Sequence, residues 1–348
     1  MLPEIRQKEF GKPDEKQVYD LIIIGNGVAG LAGAMYAARL GMETLVIGEF
    51  IGGTLTLTDT VENYPGFKHI TGIELTDKIA DHARQYDVDM ELDDVTSVEK
   101  SDCCFIVKTP AKAFKSETLL FATGARHREL VVPNIENFKN KGVHYCALCD
   151  GFFYKGKTVG VVGGGDSALK EAIHLAEFAK KVYMFVKGDK LRGENINLER
   201  IMGDKTFQIV YGTSLQKVDG TARLESVTLD KEVNGSKTVK LDGMFVAIGY
   251  VPNSELAKKL GARLNEKGEI VIDRYGGTSL DGVYAAGDVS DSQFKQAITG
   301  VGEAVNAVYD AFTYLNEHEF VCTCIDPTYI HMKSGIHLTE EMKKVQEK

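Results

Sequence analysis

Two stretches of the chain share one pattern of apolar and polar positions. YDLIIIGNGVAGLAGAMYAARLG, residues 19–41, runs apolar without alternation to Ile24, breaks into glycines, and resumes with small residues at helical spacing. An unbroken apolar run predicts a strand buried on both faces, as in a parallel sheet. Ala29, Gly33, Ala34, Ala37 and Ala38 predict a helix that packs closely on that sheet, with Gly41 at its C-terminal end. ETLVIG, residues 43–48, reads as the next strand. KTVGVVGGGDSALKEAIHLAEFAKKVYMFV, residues 157–186, spells the same strand, glycine turn, helix and strand. The two lie too far apart for a solenoid repeat. They predict two copies of a nucleotide-binding βαβ unit in two domains, hence an α/β fold with two Rossmann-like dinucleotide-binding domains.

Length supports two domains, since 348 residues exceed the usual ~100–200 of one. The net charge of −9 argues against nucleic acid as a partner. No apolar run reaches the ~18 residues of a membrane span, so no membrane role is expected. The first residues, MLPEIRQKEFGKPDEKQVYD, are charged throughout and lack the apolar core of a secretion signal, which implies a cytoplasmic protein. In that reducing compartment six cysteines point to catalysis or metal binding rather than structural bridges.

The chemistry starts with the first turn. Gly25 permits the tight bend, Gly27 lets a pyrophosphate approach the backbone, and Gly30 lets helix and strand close up. The helix N-terminus then offers N–H groups to phosphate. Glu49 lies near the spacing for a ribose contact, although Gly48 competes for that position. In HYCALCDG, residues 144–151, Cys146 and Cys149 form C-x-x-C. Three readings stand: a disulfide that opens and closes with Asp150 moving the protons, half of a zinc site, or two inert core thiols. Cys322 and Cys324, with one residue between them, are too tightly spaced to complete a standard zinc set. Cys103 and Cys104 fall in a strand-like run and read as core. His144 is close enough to Cys146 to tune a thiolate, or is simply structural.

The order of motifs then narrows the reading. The first glycine turn is followed by GGTLT (52–56), VENYPGF (61–67), ATGA (122–125), C-x-x-C-D-G, GGGDSA, FVAIG-x-x-PN, GVYAAGDV and KQA (295–297). Over roughly residues 19–316 the chain resembles the low-molecular-weight thioredoxin reductase family of flavoproteins. The resemblance implies FAD, disulfide-reductase chemistry, a homodimer and thioredoxin or a thioredoxin-like protein as partner. It implies a discontinuous FAD-binding domain (15–128 and 253–320), an inserted NAD(P)-type domain carrying the redox disulfide (129–252), and a C-terminal extension (321–348). Gly25, Gly27 and Gly30 would hold the FAD pyrophosphate. Glu49, Gly53, Thr54, Asn63, Val95 and Gly124 would lie along the same cofactor, with Thr54 standing where the family usually has Gln. Asp288 would bond the ribityl chain, and Gln296 and Ala297 would sit by the flavin ring. Cys149 would receive the flavin's electrons, Cys146 would exchange with the partner's disulfide, and Asp150 would be the acid–base group. The inserted domain would swivel to serve both.

One stretch departs from that family. Most members place His-Arg-Arg where this chain has Val186-Lys187-Gly188, and those arginines grip the 2′-phosphate of NADPH. Lysine offers phosphate a point charge rather than a fork, and valine is not the acid an NADH site would want. Gly163, Gly165 and Arg192 of the second nucleotide site survive. Residues 178–192 carry five basic side chains against Asp189 alone. Either NADPH binds weakly through Lys187, Lys190 and Arg192, or the donor is a ferredoxin or a deazaflavin, or the patch is a solvated face. Impaired NADPH use is the expectation. The alternatives are an ordinary NADPH-dependent thioredoxin reductase, a ferredoxin–NADP oxidoreductase-like enzyme, a dithiol oxidase that passes electrons to oxygen, and a redox-sensing flavoprotein module. The tail with Cys322, Cys324, Tyr329, His331 and His337 would cover the flavin, relay electrons, or dock on a dimer partner.

Overall fold

The computed structural model describes residues 9–58, 61–101 and 104–318, apart from the side chains of Leu148 and Cys149. Cys103 and the expected tail residues from Val321 onward lie outside the described residues.

Strand β1 (Val18–Ile24) is followed by helix α1 (Val28–Arg39), β2 (Thr44–Ile47), α2 (Gly72–Ala83), β3 (Val88–Glu91), β4 (Ser97–Lys100), β5 (Phe105–Lys108) and β6 (Ala113–Phe121). β1 lies between β2 and β6, parallel to both, which is why its side chains are apolar on both faces. α2 starts on a capping box, with Thr71 and Glu74 each bonding the other's backbone N–H. β7 (Ala125–His127) leaves this sheet, and the chain passes through α3 (Ile135–Phe138) into a second one.

The second sheet is built from β8 (Val143–His144), α4 (Ala147–Asp150), β9 (Thr158–Val162), α5 (Asp166–Ala176), β10 (Lys181–Val186), α6 (Asn195–Met202) and β11 (Phe207–Tyr211). A three-stranded antiparallel sheet of β12 (Leu215–Gly220), β13 (Leu224–Val233) and β14 (Ser236–Lys240) covers one face, where Val218, Val227 and Val239 meet Val162, Phe185 and Met244. β15 (Gly243–Val246) then slots between β9 and β8, completing a five-stranded parallel sheet in the order β11-β10-β9-β15-β8. α5 fills the opposite face with Ala168, Leu169, Ala172 and Leu175.

β16 (Tyr250–Pro252) pairs antiparallel with β7, so the outgoing and returning strands form one two-stranded link. After α7 (Glu255–Leu260), β17 (Val283–Ala285) joins the first sheet against the C-terminal half of β6, whose N-terminal half holds β5. The first nucleotide fold is therefore discontinuous, with the second inserted into it. α8 (Ala297–Glu317) closes it by packing Ala304, Ala307, Val308 and Ala311 onto the small residues of α1. Among the described residues no helix is long and apolar enough to cross a membrane.

Candidate active site

The first glycine turn is tight for the reasons its spacing predicts. Gly25 has φ of +111°, and a Cβ there would lie 2.3 Å from the Ala122 carbonyl oxygen. A Cβ on Gly30 would lie 1.9 Å from the Gly25 carbonyl oxygen. At Gly27, the residue capping α1, the nearest atoms to such a Cβ are 3.9 Å off, on Gly52 and Gly53. No side chain caps α1, so its first-turn N–H groups point at the space beside Gly27. Gly52 forms a parallel bridge with Gly27, and Gly53 follows it into the short 3₁₀ turn Gly53–Leu57, which exposes Thr54. Asn26 donates to the Gly48 carbonyl at 2.9 Å, and Glu49 stands exposed one residue further on.

Residues far apart in sequence meet beyond this turn. Asn63 Nδ2 donates to Gln296 Oε1 at 2.9 Å. Gln296 caps α8, again without a side-chain bond, and Ala297 opens the helix. Asp288 lies in the 3₁₀ turn Gly287–Val289, tied to α8 by Glu303, which accepts from the Gly287 N–H at 2.9 Å and from the Ser290 hydroxyl at 3.2 Å. Burial pushes the Asp288 carboxyl above its usual range, against the pull of Lys295 and with help from Glu303. Gly124, with φ of +63°, has nothing within 4 Å of its Cβ position. Val95 packs, partly buried, against the cluster of Ile22, Ile24 and Leu45. Two uncapped helix starts, a glycine floor and a partly buried carboxyl form a cradle that fits an elongated dinucleotide such as FAD.

The dithiol region is carried by the second fold. β8 ends at His144, Cys146 precedes the single turn of α4, and a 3₁₀ turn, Gly151–Tyr154, follows. Cys146 is disulfide-bonded, so it is neither a zinc thiolate nor an inert free thiol in this state. The Cys149 backbone lies in α4 and its side chain lies outside the described residues. Asp150 is partly exposed, and its Oδ2 lies 2.9 Å from His144 Nδ1. Glu171 on α5 accepts from the Ala147 N–H at the other end of α4. Burial raises the Glu171 carboxyl to about 7, and that N–H only partly offsets it. Sequence reading missed Glu171. The signal was there, because position 171 falls in the helical stripe of Ala168, Ala172 and Leu175, where a carboxylate is out of place.

The second glycine turn keeps its shape. Gly163 has φ of +142° and abuts the Ala247 carbonyl, while Gly165 caps α5 in open space. Val186, at the end of β10, is buried against Gly164. The following loop folds back, with the Arg192 N–H on the Gly164 carbonyl at 2.7 Å, and Asp166 pins it by accepting from Glu194 N–H at 3.0 Å and Asn197 at 3.3 Å. Lys187, Lys190 and Arg192 are exposed beside the turn. Ser167, Glu171, Tyr145, Gly249, Tyr250 and His127 line a small cleft next to it, reaching the β7–β16 link. The Tyr250 hydroxyl there bonds to Ser167 and feels the charges of both Glu171 and Asp288.

Comparison with known proteins agrees with this architecture. A family model described as pyridine nucleotide-disulphide oxidoreductase matches residues 19–310. An NADH dehydrogenase of Bacillus subtilis (strain 168) is 36% identical over 303 residues, which is 86% of this chain and 59% of that longer protein. A thioredoxin reductase of Mycolicibacterium smegmatis is 39% identical over 307 residues, 87% of this chain and 98% of the relative. The crystal structure of Lactococcus lactis thioredoxin reductase in its FR conformation superposes with a TM-score of 0.82 at 33% identity, covering 86% of this chain and 100% of that one. Family match, relatives and fold converge: the chain belongs to the pyridine nucleotide-disulphide oxidoreductases and, among them, to the FAD-dependent thioredoxin reductases of low molecular weight.

Proposed function

We propose that this protein reduces the disulfide of thioredoxin or a thioredoxin-like protein through the Cys146/Cys149 dithiol, and that its use of NADPH is impaired. The observation that carries the reading is the oxidised Cys146 at the head of α4, with the Asp150 carboxyl at the far end of the same turn. A redox dithiol needs an acid–base group within reach of the departing sulfur, and that arrangement supplies one.

Residues 15–128 and 253–320 form the FAD-binding domain, 129–252 the inserted domain, and 321–348 an extension. Gly25, Gly27 and Gly30 hold the pyrophosphate. Glu49, Gly53, Thr54, Asn63, Val95, Gly124, Asp288, Gln296 and Ala297 position the rest of the cofactor. Bound FAD supplies a two-electron carrier. Cys149 takes those electrons, Cys146 exchanges with the partner and Asp150 moves the protons. The β7–β16 link is where the inserted domain swivels, because it alone joins the outgoing and returning chains between the two sheets. A homodimer is the expected assembly.

Impairment of NADPH use rests on Lys187 and Gly188, which stand where most of the family places the two arginines. Where an arginine fork would meet the 2′-phosphate, the loop past the buried Val186 offers one exposed ammonium and a glycine. Lys187, Lys190 and Arg192 then form either an improvised phosphate grip beside Gly163 and Gly165 or a landing patch for a ferredoxin. An ordinary NADPH-dependent enzyme is the second reading, favoured by the intact turn at Gly163–Gly165.

Anaerobic titration of the flavin absorbance with NADPH, NADH, reduced ferredoxin and a deazaflavin donor, each followed by oxidised thioredoxin, tests the proposal. Slow or incomplete bleaching by NADPH, fast bleaching by another donor and transfer of electrons to thioredoxin are expected. Stoichiometric bleaching by micromolar NADPH defeats the impairment. Flavin that reduces readily but leaves thioredoxin oxidised defeats the partner.

A further inference from the structure

We infer that His144 is a positioning residue for the disulfide exchange, placed to receive the Asp150 carboxylate on its Nδ1–H while Tyr154 fixes the opposite ring nitrogen. The inference rests on the dithiol reading above and deepens it by giving His144 a role toward Asp150 rather than toward the Cys146 thiolate.

The geometry is specific. His144 is buried, 8% exposed, at the end of β8. Its Nε2 lies 2.7 Å from the Tyr154 hydroxyl and its Nδ1 lies 2.9 Å from Asp150 Oδ2. The ring stacks on Phe245 of β15 with centroids 5.3 Å apart. Tyr154 is locked as well: its ring occupies the space a Cβ on Gly243 would need, 2.2 Å away. Burial raises the Tyr154 hydroxyl above its usual range. When that hydroxyl donates to Nε2, the ring proton sits on Nδ1, the nitrogen beside Asp150, where no hydrogen bond is yet aligned among the described residues. The imidazole is therefore held by a hydroxyl and a stack, with Nδ1 2.9 Å from the carboxyl that follows Cys149 in the chain.

The need for that N–H follows from the proton balance. The Cys146 thiolate attacks one sulfur of the target disulfide. A Cys146–target bond forms, the target S–S bond breaks, and the departing sulfur takes the Asp150 proton. Asp150, now a carboxylate, takes the proton of the Cys149 thiol. The Cys149 thiolate attacks Cys146, the intramolecular disulfide forms, and the second target sulfur leaves with that proton. Two electrons and two protons have passed to the target. At each departure Asp150 is left as an anion half out of water, and turning onto the His144 Nδ1–H, 2.9 Å away, gives that charge a donor.

The test uses the full-length, FAD-loaded protein, reduced with dithiothreitol and freed of excess reductant under anaerobic conditions, so that no physiological donor is needed. Single-turnover exchange is followed with oxidised thioredoxin, with bis(2-hydroxyethyl) disulfide, whose leaving thiol needs a proton, and with 5,5′-dithiobis(2-nitrobenzoate), whose leaving thiolate does not. His144→Phe keeps the stack on Phe245 and removes both nitrogens. It is expected to slow the first two disulfides about tenfold and to leave the third unchanged. His144→Asn, which keeps a donor near the Nδ1 position, is expected to recover most of the rate. In an Asp150→Asn background His144→Phe should add nothing. Equal slowing with all three disulfides, no slowing with any, or additivity with Asp150→Asn overturns the inference. If the wild-type dithiol reduces hydroxyethyl disulfide and not thioredoxin, the partner reading falls and His144 is judged on the small disulfide.

Discussion

The two glycine turns of this chain look alike as text and differ as structure. In the first, glycine is a steric demand: Cβ atoms on Gly25 and Gly30 would run into backbone at 2.3 and 1.9 Å. In the second, Gly163 meets backbone as closely and the helix-capping Gly165 is as open as Gly27, but the third position is Ala168 rather than glycine. The inward faces of the following helices differ too. α1 buries only alanine, glycine and leucine, whereas α5 carries Glu171 into its apolar side. The first unit is built to hold something permanently. The second trades that rigidity for groups that titrate and for an edge, Lys187 to Arg192, open to solvent. Repetition of a motif thus says that two sites share an ancestry of shape, and the local contacts say what each is for.

The sharpest way to break that contrast is to add one methyl group to each turn. Gly30→Ala puts a Cβ inside the Gly25 carbonyl and should cost about 3 kcal/mol or more of stability, with most of the bound flavin lost. Gly165→Ala should leave flavin content and melting temperature near the wild type. Flavin absorbance per protein and thermal unfolding of the purified variants decide it. Equal damage at both sites would mean that the two turns are under the same strain.

What the sequence made legible follows the same division. Close approaches written as glycine spacing could be read directly, because a missing side chain has one steric meaning. Gly25 and Gly30 are examples, as are the buried strands β1, β2, β9 and β10. Contacts made by folding distant segments together could not. The bond from Asn63 to Gln296 spans 233 residues and came within reach only through family resemblance. The three-stranded sheet β12–β14 and the three-residue strands β7 and β16 are too short or too irregular to stand out as periodic runs. His144 read as a lone histidine because its partners, Asp150 and Tyr154, follow in a helix-turn geometry that no period predicts.

Restoring the missing fork would sharpen the contrast at the nucleotide edge. Lys187→Arg with Gly188→Arg gives the loop two guanidinium groups beside the Gly163–Gly165 turn. Each charge-assisted contact to a 2′-phosphate is worth about 1.5–3 kcal/mol. Allowing for imperfect geometry, the pair should lower the NADPH concentration for half-maximal flavin reduction about 100-fold, and leave the NADH value unchanged. Stopped-flow bleaching of the flavin against nucleotide concentration measures this. No gain for NADPH over NADH would mean that the loop does not meet the phosphate, and that its charge serves another donor.

The smallest effect expected comes from Glu171, and its direction is set by linkage. The carboxyl has an ordinary value of 4.5 and is raised by burial to about 7 in the folded protein. Between these values the native state binds more protons than the unfolded chain, so stability falls as pH rises through this window. Whatever the protonated form contributes is complete below pH ~4.5 and lost as pH passes ~7. His127 lines the same cleft, and burial lowers its value, so it works in the opposite direction and is held constant by comparing the wild type with a Glu171 variant that keeps it. From pH 5 to 7 the slope amounts to about 2 kcal/mol. Glu171→Gln keeps an oxygen for the Ala147 N–H and removes the titration. Urea unfolding at several pH values should therefore show the wild type losing about that amount relative to the variant as pH rises from 5 to 7. No loss relative to the variant would mean that Glu171 is ionised and solvated at neutral pH, and that the two helices are distinguished only by composition.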